Sequence, residues 1–254
     1  MDTYGLTGFP LKHSFSAKFF TEKFRREGID AEYLNFEIEN MEDLPHIILH
    51  NRQLKGLNVT IPYKERVLAL LDGISPEAAK TGAVNVIKVE RRPGDTRPYR
   101  LTGYNTDYTG FRQSLTPLLH GEVTHRKALI LGSGGASKAV ARALTDLRIE
   151  WQCVSRTPGR GRLTYSDLFP AVVAEHTLII NASPVGTFPE TDCCPAIPYE
   201  QLTPRHLLYD LVYNPEETLF LQKGKAQGTT VKNGGEMLVL QAQAAWEIWN
   251  TPGR

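Results

Sequence analysis

The chain has 254 residues, 41% of them hydrophobic and 22% charged, with a formal net charge of +1. That length exceeds one average domain and leaves room for a sizeable core, while the balanced charge excludes a general electrostatic pull toward nucleic acid or membrane and points to a small-molecule partner. No stretch offers the roughly 18 uninterrupted apolar residues of a spanning helix, and the N-terminal MDTYGLTGFPLKHS lacks a basic region followed by a long apolar run, so a cytoplasmic protein is expected.

In chain order, a strand is predicted at Tyr4–Gly8, followed by a helix from about Ser16 to Glu27 with Phe19, Phe20 and Phe24 on one face and Gly28 as its stop. AEYLNFEI alternates, placing Leu34, Phe36 and Ile38 on one side of a strand, and LKGLNVTIP supplies another that Pro62 ends. KERVLALLD reads as a helix. Ser75 and Pro76 form an N-cap and first-turn pair, and a hairpin follows through RRPGDTRP to GYNTD. From Lys127 the pattern is βαβ: KALILG, helical SKAVARAL, then WQCVSR, with TLIINAS and HLLYDLVYN as further buried strands. Strands alternating with helices imply an α/β protein. A boundary is expected between residues 106 and 126, with the last helix, GEMLVLQAQAAWEIW, packing back on the first domain.

Cys153, Cys193 and Cys194 fit neither a disulfide framework nor a CxxC metal pair, and the seven histidines are scattered, so no metal is expected.

GSGGAS, Gly132 to Ser137, follows an apolar strand and opens a helix. There the amides of Gly132, Gly134, Gly135 and Ala136 can face a pyrophosphate with little steric obstruction. Ser137 takes the third glycine position of GxGxxG, where a small residue still allows close helix packing. About 20 residues on, where an NAD site presents an acid to the ribose, the strand ends Ser155, Arg156, Thr157. A guanidinium suits a 2′-phosphate, with Ser155 or Thr157 as further donors, so NADP is favoured over NAD. The competing reading is a solvated loop arginine beside Arg160 and Arg162.

LNVTIPYK carries polar groups where a buried strand would carry Val or Ile. Asn58 and Thr60 share one face, Val59 and Ile61 the other, and Lys64 stands just past the proline. Ser14 and Ser16 in KHSFS, Asn85 in GAVNVI, and Asn105, Thr106 and Asp107 in GYNTD repeat the habit. Each alone is an ordinary cap or turn residue. Together, at strand ends, they suit a compact polyhydroxylated substrate.

GFPLKHSFS, GLNVTIPYK, GAVNVI, GYNTDYTG, LGSGGAS, SRT, NASPVGT, DLVYNP and GGEMLVLQA, in this order and spacing over nearly the whole chain, resemble the shikimate dehydrogenase family. The resemblance implies two domains: an N-terminal α/β substrate-binding domain, residues 1–106 with the returning helix 235–254, and a Rossmann-like NADP-binding domain, residues 107–234. It implies reversible NADPH-dependent reduction of 3-dehydroshikimate to shikimate. Substrate binding carries onto Ser14, Ser16, Asn58, Thr60, Asn85, Asp107, Gln241 and Tyr213. The catalytic pair carries onto Lys64 and Asp107, and cofactor contacts onto Gly134, Gly135, Ala136, Arg156, Thr157 and Gly235. Ala17, Val86 and Ser155 depart from residues common in the family; the last two bear on loop packing and adenosine recognition.

Hydride arrival at a carbonyl carbon builds charge on oxygen that a protonated lysine can neutralise, with Asp107 orienting the ammonium. His13 is the alternative catalyst, and Tyr213 and Asp210 can equally be structural. The rival readings are a dual quinate/shikimate dehydrogenase, an idle NADP-binding sensor module, and a folate-type dehydrogenase, which lacks this motif series. A monomer or a homodimer is compatible with the sequence.

Overall fold

Strands alternate with helices along the chain and assemble into two six-stranded sheets. The computed structural model describes residues 1–11, 15–119 and 125–251, so Ser14 and His13 lie outside the described residues. By contacts the chain divides into two units, Met1–Thr106 with Gln241–Arg254, and Asp107–Leu240.

The first unit holds β1 (Asp2–Gly8), α1 (Phe15–Glu27), β2 (Ala31–Glu37), α2 (Leu44–His50), β3 (Leu54–Val59), β4 (Gly73–Ile74), α3 (Pro76–Thr81), β5 (Val86–Arg91) and β6 (Tyr99–Tyr104). Its sheet runs β2-β1-β3-β5-β6-β4, with β1 parallel to β2 and β3, and β5 antiparallel to β3 and β6. Both faces are covered, as the period-2 alternation requires. Leu57, Val59, Ile87 and Leu101 pack with Leu44, Ile48 and Val67 on one side; Tyr4, Leu6, Tyr33 and Val86 pack with Phe20, Phe24 and Trp249 on the other. Ser75 caps α3, its hydroxyl accepting from the Ala78 amide at 3.1 Å, with Pro76 in the first turn.

Three expectations are corrected here. Leu34 is exposed because β2 is an edge strand, and Tyr33, from the opposite side of the alternation, enters the core. Ile61 is 71% exposed, since β3 ends at Val59 and the alternation does not continue past it. KERVLALLD forms only a short 3-10 helix, Arg66–Leu70. The Lys64 carbonyl, which an α-helix would offer to residue 68, accepts from the Val84 amide at 2.7 Å, and Leu68 turns to Glu65 instead.

The second unit holds α4 (Thr106–Leu115), whose first residue still belongs to the first unit, β7 (Lys127–Leu131), α5 (Gly135–Asp146), β8 (Glu150–Ser155), β9 (Arg162–Thr164), α6 (Pro170–Glu175), β10 (Leu178–Asn181), β11 (Leu207–Asp210), α7 (Leu219–Ala226), β12 (Thr230–Lys232) and the start of α8 (Gly235–Asn250). All six strands are parallel in the order β12-β11-β10-β7-β8-β9, the doubly wound arrangement. Ala128 and Ile130 face Val140 and Leu144 of α5, while Leu129 and Leu131 face Phe220 and Leu221 of α7.

Helix α8 returns to the first unit from Gln241 onward. There Trp249 is buried against the sheet, donates to the Ile87 carbonyl at 3.0 Å, and fills the space in which a Cβ at Gly56 would overlap its ring. Trp249→Ala should therefore destabilise the protein by about 3–5 kcal/mol, read from urea unfolding followed by circular dichroism. A loss below about 1 kcal/mol, the level of an ordinary surface change, would contradict this packing.

Candidate active site

The polar side chains singled out in the first unit converge at one end of its sheet. Asn85, 4% exposed, is the centre. Its main chain donates to Tyr104 at 3.0 Å and accepts from Val59 at 2.8 Å, bridging β6 and the end of β3. Its side-chain oxygen accepts from the Thr106 amide at 2.7 Å, its Nδ2 donates to the Thr106 hydroxyl at 3.0 Å, and the same nitrogen reaches Gln241 Oε1 at 3.3 Å. Gln241 is half-buried and Gln243 exposed, so the two helical amides do point in different directions.

Asn58 sits one strand over, half-buried, its Oδ1 accepting from the Tyr33 hydroxyl at 2.7 Å. Ser16, on the first turn of α1, hydrogen-bonds the same tyrosine, whose pKa burial pushes up. The Thr60 amide donates to the Thr7 carbonyl at 2.9 Å, carrying the chain past β3 toward Lys64, which is half-buried. Asp107, 4% exposed, lies in the first turn of α4, directly after Thr106. Asn105 plays a different part: its Nδ2 donates to the Ala83 carbonyl at 2.9 Å and to Thr81 at 3.2 Å, inside the protein. Tyr33 was missed by the sequence reading. The signal was present, because the alternation that puts Leu34 and Phe36 on one face of β2 puts Tyr33 on the other.

In the second unit the glycine-rich turn joins β7 to α5 at the switch point of the strand order, between β7 and β10. Gly132 has φ +121, and a Cβ there would lie 3.0 Å from the Ala182 carbonyl, so the turn requires glycine. Gly134 is the N-cap of α5, with no side-chain cap and open space where a Cβ would be, leaving the amides of Gly135 and Ala136 for an anion. Ser137 is buried and donates its hydroxyl to the Gly134 carbonyl at 2.6 Å, so a serine serves at the third glycine position. Arg156 and Thr157 are exposed just past β8; Ser155 is turned inward, its hydroxyl donating to the Thr157 carbonyl. Tyr213 follows β11, 39% exposed, and the Gly235 amide donates to Asn233 Oδ1 at 3.1 Å at the start of α8. This glycine cradle, with a cation past the neighbouring strand, fits a phosphorylated dinucleotide. Among the described residues no group of three or more His, Cys, Asp or Glu could hold a metal ion, and no helix is long and apolar enough to cross a membrane.

Residues 6–87 match the family model described as the shikimate dehydrogenase substrate binding domain. A shikimate dehydrogenase (NADP(+)) from Clostridium beijerinckii is 38% identical over 260 residues, covering 98% of this chain and 92% of its own length. The chain belongs to the shikimate dehydrogenase family. Among solved structures, shikimate 5-dehydrogenase from Thermus thermophilus in complex with NADP(H) and shikimate superposes with a TM-score of 0.82 at 32% identity, covering 98% of this chain and 94% of that one. Quinate dehydrogenase from Corynebacterium glutamicum in complex with NAD gives a TM-score of 0.85 at 26% identity, covering 98% and 93%. The mixed first unit, the all-parallel second unit and the returning helix are thus the fold of this family.

One buried group in the second unit makes a pH-dependent contribution. Asp210, fully buried at the end of β11, is pushed up from its ordinary 3.8 to about 6 by burial, against the opposing effect of hydrogen bonds from Thr218, Val212 and Asn181. The folded chain holds this proton more tightly than the unfolded chain. The contribution therefore falls as pH rises from about 4 through about 6, a loss on the order of 2–3 kcal/mol by pH 7. Asp210→Asn should flatten the stability profile between pH 5 and pH 7 in urea titrations, and parallel profiles for the two proteins would refute the assignment.

Proposed function

We propose that the chain is an NADP-dependent shikimate dehydrogenase that reversibly reduces 3-dehydroshikimate to shikimate, within the pathway to chorismate and the aromatic amino acids. The observation that carries this reading is the 38% identity to a shikimate dehydrogenase (NADP(+)) across 98% of the chain.

Bound NADPH would supply the hydride. Lys64 Nζ donates the proton that neutralises the ketone oxygen as charge develops there, and takes it back in the reverse direction. Asp107 supplies the carboxylate that completes the catalytic pair. Ser14, Ser16, Asn58, Thr60, Asn85, Gln241 and Tyr213 bind and orient the ring. Gln241 spends its Oε1 on Asn85 and keeps Nε2 to donate to a substrate oxygen. Tyr33 holds Asn58 and Ser16 in one arrangement, so both are presented without rotamer searching. The amides of Gly134, Gly135 and Ala136 cradle the pyrophosphate, while Gly132 shapes the turn and donates its own amide to the Val154 carbonyl at 2.8 Å. Arg156 with Thr157 forms the adenosine end, Ser155 holding the Thr157 carbonyl from within, and Gly235 lets the chain approach the cofactor closely.

Residues 1–106 with 235–254 form the substrate domain in this reading, and residues 107–234 the NADP domain. The protein acts on a small molecule, without nucleic acid or membrane, as a monomer or homodimer. A cytoplasmic location agrees with three free cysteines, which stay reduced there. The likeness to a quinate dehydrogenase favours one further reading, activity on quinate as well, since a pocket that tolerates a hydroxyl discriminates weakly.

Steady-state assays of shikimate and quinate, each with NADP and NAD, test this directly; turnover of shikimate with NADP is expected to be fastest, and its absence would end the proposal. In the same assay Lys64→Ala should lower kcat by about a thousandfold or more with a far smaller change in shikimate KM. Near-normal turnover would remove Lys64 as the acid. Arg156→Ala should raise the KM for NADP by about ten- to a hundredfold and leave that for NAD almost untouched, because only NADP carries the 2′-phosphate. Equal losses with both cofactors would assign Arg156 a structural role.

A further inference from the structure

Three fully buried side chains, Asn181, Asp210 and Thr218, form a hydrogen-bonded chain at the carboxyl ends of β10 and β11 and the N-cap of α7. Asn181 Nδ2 donates to Asp210 Oδ1 at 2.9 Å and to the Val185 carbonyl at 3.2 Å. Its Oδ1 accepts from the Ser183 amide at 3.1 Å and the Ser183 hydroxyl at 2.6 Å. Asp210 accepts in addition from the Val212 amide at 3.0 Å and, on Oδ2, from the Thr218 hydroxyl at 2.6 Å.

Most of these bonds end on the turns that follow the strands. The turn after β10 walls the glycine loop, because a Cβ at Gly132 would lie 3.0 Å from the Ala182 carbonyl oxygen and 3.1 Å from the Ser183 nitrogen. The turn after β11 runs through Val212, whose carbonyl accepts from Gly234 at 3.1 Å, one residue before α8 begins. The Phe188 amide donates to the Asn214 carbonyl at 3.0 Å and ties the two turns together. Moving the Asp210 carboxylate therefore moves both turns, which lie in succession on one side of the glycine loop, the turn after β10 directly against it. A buried carboxylate costs stability, and the proposed reaction makes no direct use of this one.

We propose that Asp210, acting through Asn181, is a positioning residue for the dinucleotide: the pair fixes the turns after β10 and β11 in the form that shapes the glycine cradle. The proposal rests on the dinucleotide reading above.

The test measures NADP+ binding by calorimetry, and shikimate kcat and KM by steady-state kinetics, on the full-length wild type, Asp210→Ala, Asp210→Asn and Thr218→Val, with circular dichroism giving the folded fraction. Asp210→Ala should raise the Kd for NADP+ by roughly ten- to a hundredfold and leave the shikimate KM within about twofold, a split that a general loss of folding would not produce. Asp210→Asn should recover most of the binding, since its oxygen still accepts from Asn181 and Val212 and its amide can face the Thr218 hydroxyl. If Asp210→Ala does not fold, Thr218→Val carries the test, with a smaller loss of NADP+ affinity expected. A folded Asp210→Ala or Thr218→Val that binds NADP+ as the wild type does, or that loses shikimate and NADP+ equally, overturns the proposal. A wild type that does not bind NADP+ overturns the dinucleotide reading itself, and so the two failures are distinguishable.

Discussion

The amide of Asn85 is the constraint on which the polar end of the first unit depends. A buried amide with unpaired groups costs about 1–3 kcal/mol for each group left without a partner, so its surroundings must meet it with donors and acceptors at fixed places. The Thr106 amide and hydroxyl and the Gln241 oxygen do so for the side chain, while Val59 and Tyr104 pair with the Asn85 main chain. One residue thereby fixes where β3 ends, where α4 begins and how α8 lies on the sheet. Lys64 is held next to it, since its carbonyl takes the amide of Val84.

The second unit solves a similar problem with a charge. Parallel strands buried on both faces leave their carboxyl-end turns without ladder partners, and ligands bind where those turns diverge. Asn181 and Asp210, the last residues of β10 and β11, fold their side chains back to hold the turns that leave them. Oxygen acceptors suit that task because each can meet several main-chain amides, whereas an apolar side chain would leave them unsatisfied. The cost is visible in the raised pKa of Asp210.

Much of this was legible residue by residue. The alternation in KALIL and the glycines after it located β7 and its turn, and Ser75 with Pro76 marked the start of α3. The two-residue spacing of Gln241 and Gln243 foretold that one would be half-buried and the other exposed. The failures share a cause. KERVLALLD has helical periodicity, but the Val84 amide takes the Lys64 carbonyl; Leu34 fits its pattern, but β2 has no neighbour beyond it; Ile61 continues the alternation of a strand that has already ended.

The sequence by itself determined which residues are chemically equipped: the lysine past the proline, the glycine turn between strand and helix, the arginine past the next strand. It could do so because periodicity and turn chemistry act over a few residues, and side-chain identity sets what each group can donate or accept. Only the tertiary structure decided which groups meet. Tyr33 reaches Asn58 across 25 residues, Asn181 reaches Asp210 across 29, and Asn85 reaches Gln241 across 156. Those pairings follow from strand order and register, which arise from the packing of the whole sheet and leave no local trace in the chain.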